Sequence, residues 1–146
     1  LNDRPSLTVR AVEGRNPIRI VLDAHLRVKP EGPLFDDAAE TKIVFDADLC
    51  STERAHAFGI SGIASDIRKL MDWSFEQGIQ SILVEGGARV LHQWIEAGLW
   101  DEARVIVAPI RWGHGLPAPK LSGQLVQHFQ AGQDEVRIFR PLLSAE

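Results

Sequence analysis

Cysteine is nearly missing from this chain: Cys50 stands alone among 146 residues. No disulfide can close within it, which fits a reducing cytoplasm. Cys50 itself reads as a small, half-buried residue. No apolar run approaches the length that crosses a bilayer. The start, LNDRPSLTVR, is polar where a secretory signal would carry an apolar stretch. Positive charge is not in excess either. Lys and Arg number 16 against 20 Asp and Glu, a net charge of −4, which argues against a general nucleic-acid surface. His25, His56, His92, His114 and His128 show no zinc-ligand spacing with one another, with Cys50 or with carboxylates, so no metal is expected. Internal repeats and low-complexity tracts are absent. So is the dinucleotide fingerprint G-x-G-x-x-G, and a Rossmann-type site is not supported.

What is present suits one domain with a single sizeable core, over residues 1–146. Apolar residues make up 45% of the chain and charged residues 25%, ordinary values for a globular protein. PIRIVLD (17–23) and TKIVFD (41–46) read as strands, joined by a surface connection rich in proline and glycine. DIRKLMDWSFEQG (66–78) sets Ile67, Leu70, Met71 and Phe75 on one helical face, with Ser65 as a cap and Gly78 as a stop. QSILVEG (80–86) reads as a third strand. ARVLHQWIEAG (88–98) follows as a helix, with Ala88, Leu91, Trp94 and Ile95 facing inward and Gly98 ending it. EARVIVAPI (102–110) is a fourth strand. VRIFRPLL (136–143) is the last, pairing with 124–130 as a hairpin. The unbroken apolar runs 82–84 and 104–108 predict central strands buried on both faces. Strands alternating with helices predict an α/β fold: a mixed, mostly parallel sheet covered by helices, with an antiparallel C-terminal hairpin.

Glu85-Gly86-Gly87 raises the question of function. Ligands of open α/β sheets bind beyond the carboxyl ends of the strands. The helix after Gly87 aims its free N–H groups and the positive end of its dipole at that crevice. Glycine lets a phosphate approach the backbone closely. Glu85 can accept hydrogen bonds from a neighbouring ligand. A tight strand-to-helix turn with no ligand explains the same residues, and both readings stay open here. In the second cluster, DRPSLTVR (3–10), Arg10 can clamp a phosphate in bidentate fashion. A solvated surface arginine is its plain alternative.

The chain resembles the C-terminal reductase domain of the bifunctional riboflavin-biosynthesis deaminase/reductase, a family similar to dihydrofolate reductase in fold. The likeness rests on four ordered segments: NDRPSLTVR (2–10), NPIRIVLD (16–23), SILVEGGARVLHQWIEAGLWDE (81–102) and VIVAP (105–109). It implies helices on both faces of the sheet and an NADPH-dependent reduction. The ribosyl group of 5-amino-6-(5-phosphoribosylamino)uracil becomes ribityl, with hydride delivered to C1′. By the same resemblance Leu7, Arg10 and Glu85 contact substrate. Asp3, Ala24, Gly86, Gly87, Ala88, Arg89, Val90, Leu91, His92 and Gln93 contact the cofactor. Ala24 stands where relatives can have Ser, so only its backbone can serve. No general acid is assigned. Arg4 occupies a position where an acid is usual. The family's zinc-bearing deaminase domain has no counterpart in these residues, and the domain's first strand and helix are expected to precede Leu1. The resemblance also implies a homodimer, for which Trp100 offers an edge aromatic. A nucleotide-binding module without chemistry and a reductase acting on a pterin are the competing readings.

Overall fold

A computed structural model describes residues 4–29, 31–51, 56–111 and 113–142. The chain divides into two compact units, Leu1–Gln77 and Gly78–Glu146.

In the first unit, β-branched residues make two short strands, β1 (Arg19–Leu22) and β2 (Thr41–Phe45), followed by β3 (Ala57–Gly59). They form a parallel sheet in the order β1-β2-β3, with Val21 opposite Ile43 and Val44 opposite Phe58. Parallel pairing needs a long connection. Between β1 and β2 it contains a 3-10 turn, Pro33–Phe35, whose Leu34 is buried. The central strand β2 carries the core: Ile43, Val44 and Phe45 are buried. Helix α1 (Arg68–Glu76) adds Ile67, just before its start, and Leu70 to that core. Its cap differs from expectation. Ser65 Oγ donates to Gly62 O at 2.9 Å, while Asp66 Oδ1 accepts the Arg68 amide at 3.0 Å. Aspartate thereby takes the first free N–H, as a carboxylate near the positive helix end should. The inward face also differs. Ser74 is buried, whereas Phe75 is 84% exposed and Met71 lies at the margin. Trp73 takes the packing position, its ring 5.4 Å from Phe58 on β3. Gly78, at φ 72, ends the helix in the left-handed conformation.

In the second unit, residues 79–87 find no ladder partner among the described residues, so the strand expected at 80–86 is not formed as one. Exposure alternates along it: Ser81, Leu83 and Glu85 are exposed, Ile82 and Val84 half-buried. That is the two-residue alternation of an extended chain. Helix α2 (Ala88–Glu96) buries Trp94 and half-buries Ala88, Leu91 and Ile95, as expected. Gly98, at φ 68, lies just beyond its C-terminal end.

Strands β4 (Ala103–Val107), β5 (Gln124–Ala131) and β6 (Asp134–Arg140) form an antiparallel sheet in the order β4-β6-β5. The β5–β6 hairpin turns on Gly132-Gln133, with Gly132 at φ 66 and Ala131 opposite Asp134. The register shifts between Leu125 and Gln127. The strand expected to be buried on both faces is therefore an edge strand. The middle position belongs to β6, where Val136 and Ile138 are buried, and Ile106 of β4 is 67% exposed. The fold class agrees with expectation: mixed α/β, with a parallel sheet and an antiparallel C-terminal hairpin.

Candidate functional site

The residues singled out from the sequence fall in both units. Asp3 lies outside the described residues. The first group is the irregular segment Arg4–Arg10. Arg4 and Leu7 sit in the left-handed region at φ 44 and φ 49. A branched side chain there is strained by about 1–3 kcal/mol and persists only where neighbours hold it. The neighbours are identifiable. Val9 N–H donates to Asn16 Oδ1 at 3.0 Å, and Asn16 Nδ2 donates to Ala38 O at 2.9 Å. Ser6 O accepts from Arg19 Nη1 at 3.2 Å. Arg10 is exposed, and its Nη2 donates to Ser6 Oγ at 3.1 Å. Leu7 and Arg10 thus stand on one braced turn.

Arg19 opens β1 and is 1% exposed. Its guanidinium also donates to Pro33 O (3.0 Å), Asp36 Oδ1 (2.8 Å), Asp36 O (2.8 Å) and Ala39 O. Its Nε, by contrast, is buried without a partner among the described residues. The Arg19 hydrogen bond holds the Asp36 carboxyl below the usual aspartate value. Ala24 lies just past β1, and its carbonyl accepts the Asp46 amide at 3.1 Å, extending the β1–β2 pairing. Asp46, 3% exposed, follows β2. Its Oδ2 accepts from the Ala64 amide at 2.9 Å, and its Oδ1 from Asp48 and Gly62 at 3.0 and 3.1 Å. The Ala64 bond leads in holding this carboxyl low, against the opposing effect of burial. Asp46 folds the two loops beside the carboxyl ends of β2 and β3.

The second group is Glu85 to Gln93. Glu85 is exposed and has no hydrogen-bond or ion-pair partner among the described residues. The two glycines do different work. A Cβ on Gly86 would lie 3.3 Å from Val90 Cβ and 3.4 Å from its Cγ1, so the Val90 side chain would have to give by a few tenths of an ångström to admit one. Gly87 caps α2 at φ −52, ψ 168, a conformation open to any residue, and among the described residues a Cβ there would meet nothing within 4 Å. Neither backbone nor packing demands glycine at position 87. What the missing Cβ leaves is backbone that no side chain at position 87 covers.

Gly87 O already accepts from Val90 (2.9 Å) and Leu91 (3.2 Å). The amides of Ala88 and Arg89 have no backbone acceptor among the described residues. Two amide donors, the positive helix end and a missing Cβ are the parts from which an anion cradle can be built. Farther along, Val90, Leu91 and Gln93 are half-buried, and His92 Nε2 lies 3.0 Å from Glu96 Oε1. The His92 side chain is therefore turned along the helix, one turn beyond the cradle. Among the described residues, no three His, Cys, Asp or Glu side chains gather in reach of a metal ion.

Sequence reasoning missed Arg19, Asn16 and Asp46. The signal for Arg19 was a cation opening a β-branched run, where alternation calls for an apolar or solvent-facing residue. Trp100, read as an edge aromatic, lies against its own unit: a Cβ on Gly123 would stand 2.8 Å from Trp100 Cη2. Among the described residues no helix is long and apolar enough to cross a membrane.

The family described as the RibD C-terminal domain matches residues 1–137. A riboflavin biosynthesis protein RibD from Bacillus amyloliquefaciens is 33% identical over 131 residues, which cover 84% of this chain and 35% of that protein. A 2,5-diamino-6-ribosylamino-4(3H)-pyrimidinone 5′-phosphate reductase from Aquifex aeolicus (strain VF5) is 30% identical over 129 residues, 83% of this chain and 57% of that protein. The chain thus spans between 35% and 57% of the length of these two relatives. Among solved structures, a Thermotoga maritima diaminohydroxyphosphoribosylaminopyrimidine deaminase/5-amino-6-(5-phosphoribosylamino)uracil reductase superposes with a TM-score of 0.80. It shares 21% identity, over 96% of this chain and 42% of its own. The Saccharomyces cerevisiae riboflavin biosynthesis reductase Rib7 superposes with a TM-score of 0.68 at 18% identity, over 86% of this chain and 70% of its own. At these identities the structural likeness speaks to the fold.

Proposed function

The chain belongs to the RibD C-terminal domain family, and on that premise we propose that it is a reductase of riboflavin biosynthesis. Its substrate is 5-amino-6-(5-phosphoribosylamino)uracil, its product the ribitylamino compound, and its reductant NADPH. The observation that carries this reading is Gly87. A glycine required by neither φ nor packing sits at a helix N-terminus, beside two amides without a backbone acceptor among the described residues. A bound pyridine nucleotide fits that cradle through its phosphates and supplies the hydride. The protein's part is binding and orientation. Gly87 leaves the approach clear, the amides of Ala88 and Arg89 take the phosphates, and Val90 to Gln93 shape the helix behind them. Asp3 and the Ala24 backbone add cofactor contacts. On the substrate side, Leu7 packs against the ligand and Arg10 pairs with its phosphate. Glu85, exposed and without a partner among the described residues, accepts hydrogen bonds from the ligand.

We extend the proposal to location and assembly. A consumer of NADPH with one free thiol, Cys50, works in the cytoplasm. A homodimer is supported by apolar residues left exposed on β4 and β5, including Ile106 (67%), Val126 (46%) and Phe129 (44%). Light scattering over a concentration series should give twice the chain mass; a constant monomer mass would remove the dimer. The activity is tested by mixing the protein with NADPH and the aminopyrimidine phosphate and following loss of the nicotinamide absorbance. Turnover with that substrate and none with a pterin is the expected outcome. Binding of both ligands without turnover would make this a nucleotide-binding module. Turnover of the pterin alone would move it to another reductase class.

A further inference from the structure

We infer that Arg19 is a positioning residue for substrate: it holds the Leu7–Arg10 turn in its binding shape by tying that turn to the loop before β2. The inference rests on the proposed substrate role of Leu7 and Arg10. Three observations carry it. First, the guanidinium is almost wholly buried yet spends its donors on loop acceptors. Ser6 O lies on one side, and Pro33 O, Asp36 Oδ1, Asp36 O and Ala39 O on the other. The guanidinium is ion-paired with Asp36, as a buried cation must be, and its remaining bonds bridge two irregular segments. Second, the bridged carbonyl belongs to Ser6, immediately before Leu7 at φ 49. Ser6 Oγ is also the acceptor for Arg10 Nη2. One residue thus receives both the brace and the proposed phosphate ligand. Third, Asn16 repeats the arrangement independently, joining Val9 N–H to Ala38 O. Two side chains three residues apart fasten the same turn to the same loop.

Strained backbone held from both sides is what a pre-formed binding element requires. Losing the brace leaves the strained state as one of many. Ligand must then select it, and apparent affinity falls by the fraction of molecules still in that shape. The cost lands chiefly on substrate, because the phosphate cradle proposed for NADPH is on α2 and of the proposed cofactor contacts only Asp3 adjoins the turn.

The test is Arg19→Lys, which keeps the charge but cannot reach both segments. Ribose 5-phosphate and NADPH are titrated separately by calorimetry, and amide exchange is followed at Ser6 to Arg10 and along β2. We expect ribose 5-phosphate affinity to fall about tenfold while NADPH affinity stays within about twofold. Exchange should quicken at Ser6 to Arg10 with β2 still protected. In turnover, KM for the aminopyrimidine phosphate should rise with kcat at saturation retained. Unchanged ribose 5-phosphate affinity in a folded variant overturns the inference, as does an equal loss for both ligands. If Arg19→Lys fails to fold, Asp36→Asn weakens the same anchor from its half-exposed end. A loss of about threefold supports the role, and none overturns it. Arg10→Ala separates the two levels. If it leaves ribose 5-phosphate binding intact, or the unaltered protein binds none, the substrate assignment of the turn is wrong and the positioning role falls with it. If Arg10→Ala abolishes binding and Arg19→Lys does not, only the positioning role falls.

Discussion

Gly87→Val separates a ligand cradle from a plain turn. The structure sets the stability side first. At φ −52 a side chain is unstrained, and among the described residues a Cβ meets nothing within 4 Å. Replacing glycine removes freedom from the unfolded chain, worth about 0.4–1 kcal/mol in favour of folding. Valine is a poorer N-cap than glycine, which works the other way by roughly 1 kcal/mol. The two nearly cancel, so the melting temperature should move by only a few degrees. The binding side is not balanced. Branched carbons would fill the approach that a phosphate oxygen needs to reach the Ala88 and Arg89 amides. Losing one charge-assisted hydrogen bond costs about 1.5–3 kcal/mol, roughly a 10- to 150-fold weaker NADPH complex. Thermal melts followed by an NADPH fluorescence titration measure both sides. Gly86→Ala is the internal contrast. Its Cβ would lie 3.3 Å from Val90 Cβ, so its effect should appear in the melt, with the Ala88 and Arg89 amides left uncovered. A Gly87→Val protein with normal melting and undiminished NADPH affinity would refute the cradle.

Glu85→Gln should weaken binding of the aminopyrimidine phosphate by about 1.5–3 kcal/mol and spare NADPH, since it removes one charged acceptor. Equal substrate affinity in a titration would take Glu85 out of the site. Gly123→Ala should destabilise by about 1–3 kcal/mol, because a Cβ there would stand 2.6 Å from Arg140 O and 2.8 Å from Trp100 Cη2; an unchanged denaturation midpoint would contradict that packing. Acid should loosen the first unit through Asp46 and Asp36. Both carboxyls are held below the ordinary aspartate value of 3.8 in the folded state. Their contribution is therefore full above that value and is lost as pH falls through the lower folded values. Melts taken from neutral pH downward should show the decline, and Asp46→Asn should flatten it; an unaltered acid limb would mean the Asp46 bonds contribute nothing.

Periodicity and turn chemistry made much of the fold legible. The apolar runs at 17–23 and 41–46 are β1 and β2. Gly78 and Gly98 end their helices, and Gly132 turns the hairpin, because each carries the positive φ that glycine tolerates. What stayed hidden depends on partners far along the chain. Residues 80–86 have the composition of a strand, but composition does not supply a neighbour to pair with. The apolar run in β4 looked doubly buried. Whether such a run is central is decided by the strands beside it, and β6 took the middle place. The N-cap of α1 is Ile67, which has no capping side chain, and Asp66 rather than Ser65 holds the Arg68 amide from just outside the helix. In the candidate site, the glycine pair and Glu85 stood out by type and spacing. The separate tasks of Gly86 and Gly87 did not, because they depend on where the Val90 side chain lies. Arg19 was missed because a buried arginine contradicts hydrophobic patterning, and only its five acceptors explain it.

The two sheets differ in how far apart in sequence their partners lie, and this bears on the order in which the molecule assembles. In the hairpin, Ala131 meets Asp134 across a two-residue turn. Closing it is a local search of the kind completed in about 1–10 μs. β1 ends at Leu22 and its partner β2 begins at Thr41, so that ladder must first close a long connection. The closure entropy of that connection is spent before any ladder bond forms. The Ser6 and Val9 bonds to Arg19 and Asn16 depend in turn on the loop before β2 being in place. Antiparallel pairing should therefore lead during refolding, and the Leu7–Arg10 turn should be among the last elements to acquire its native shape.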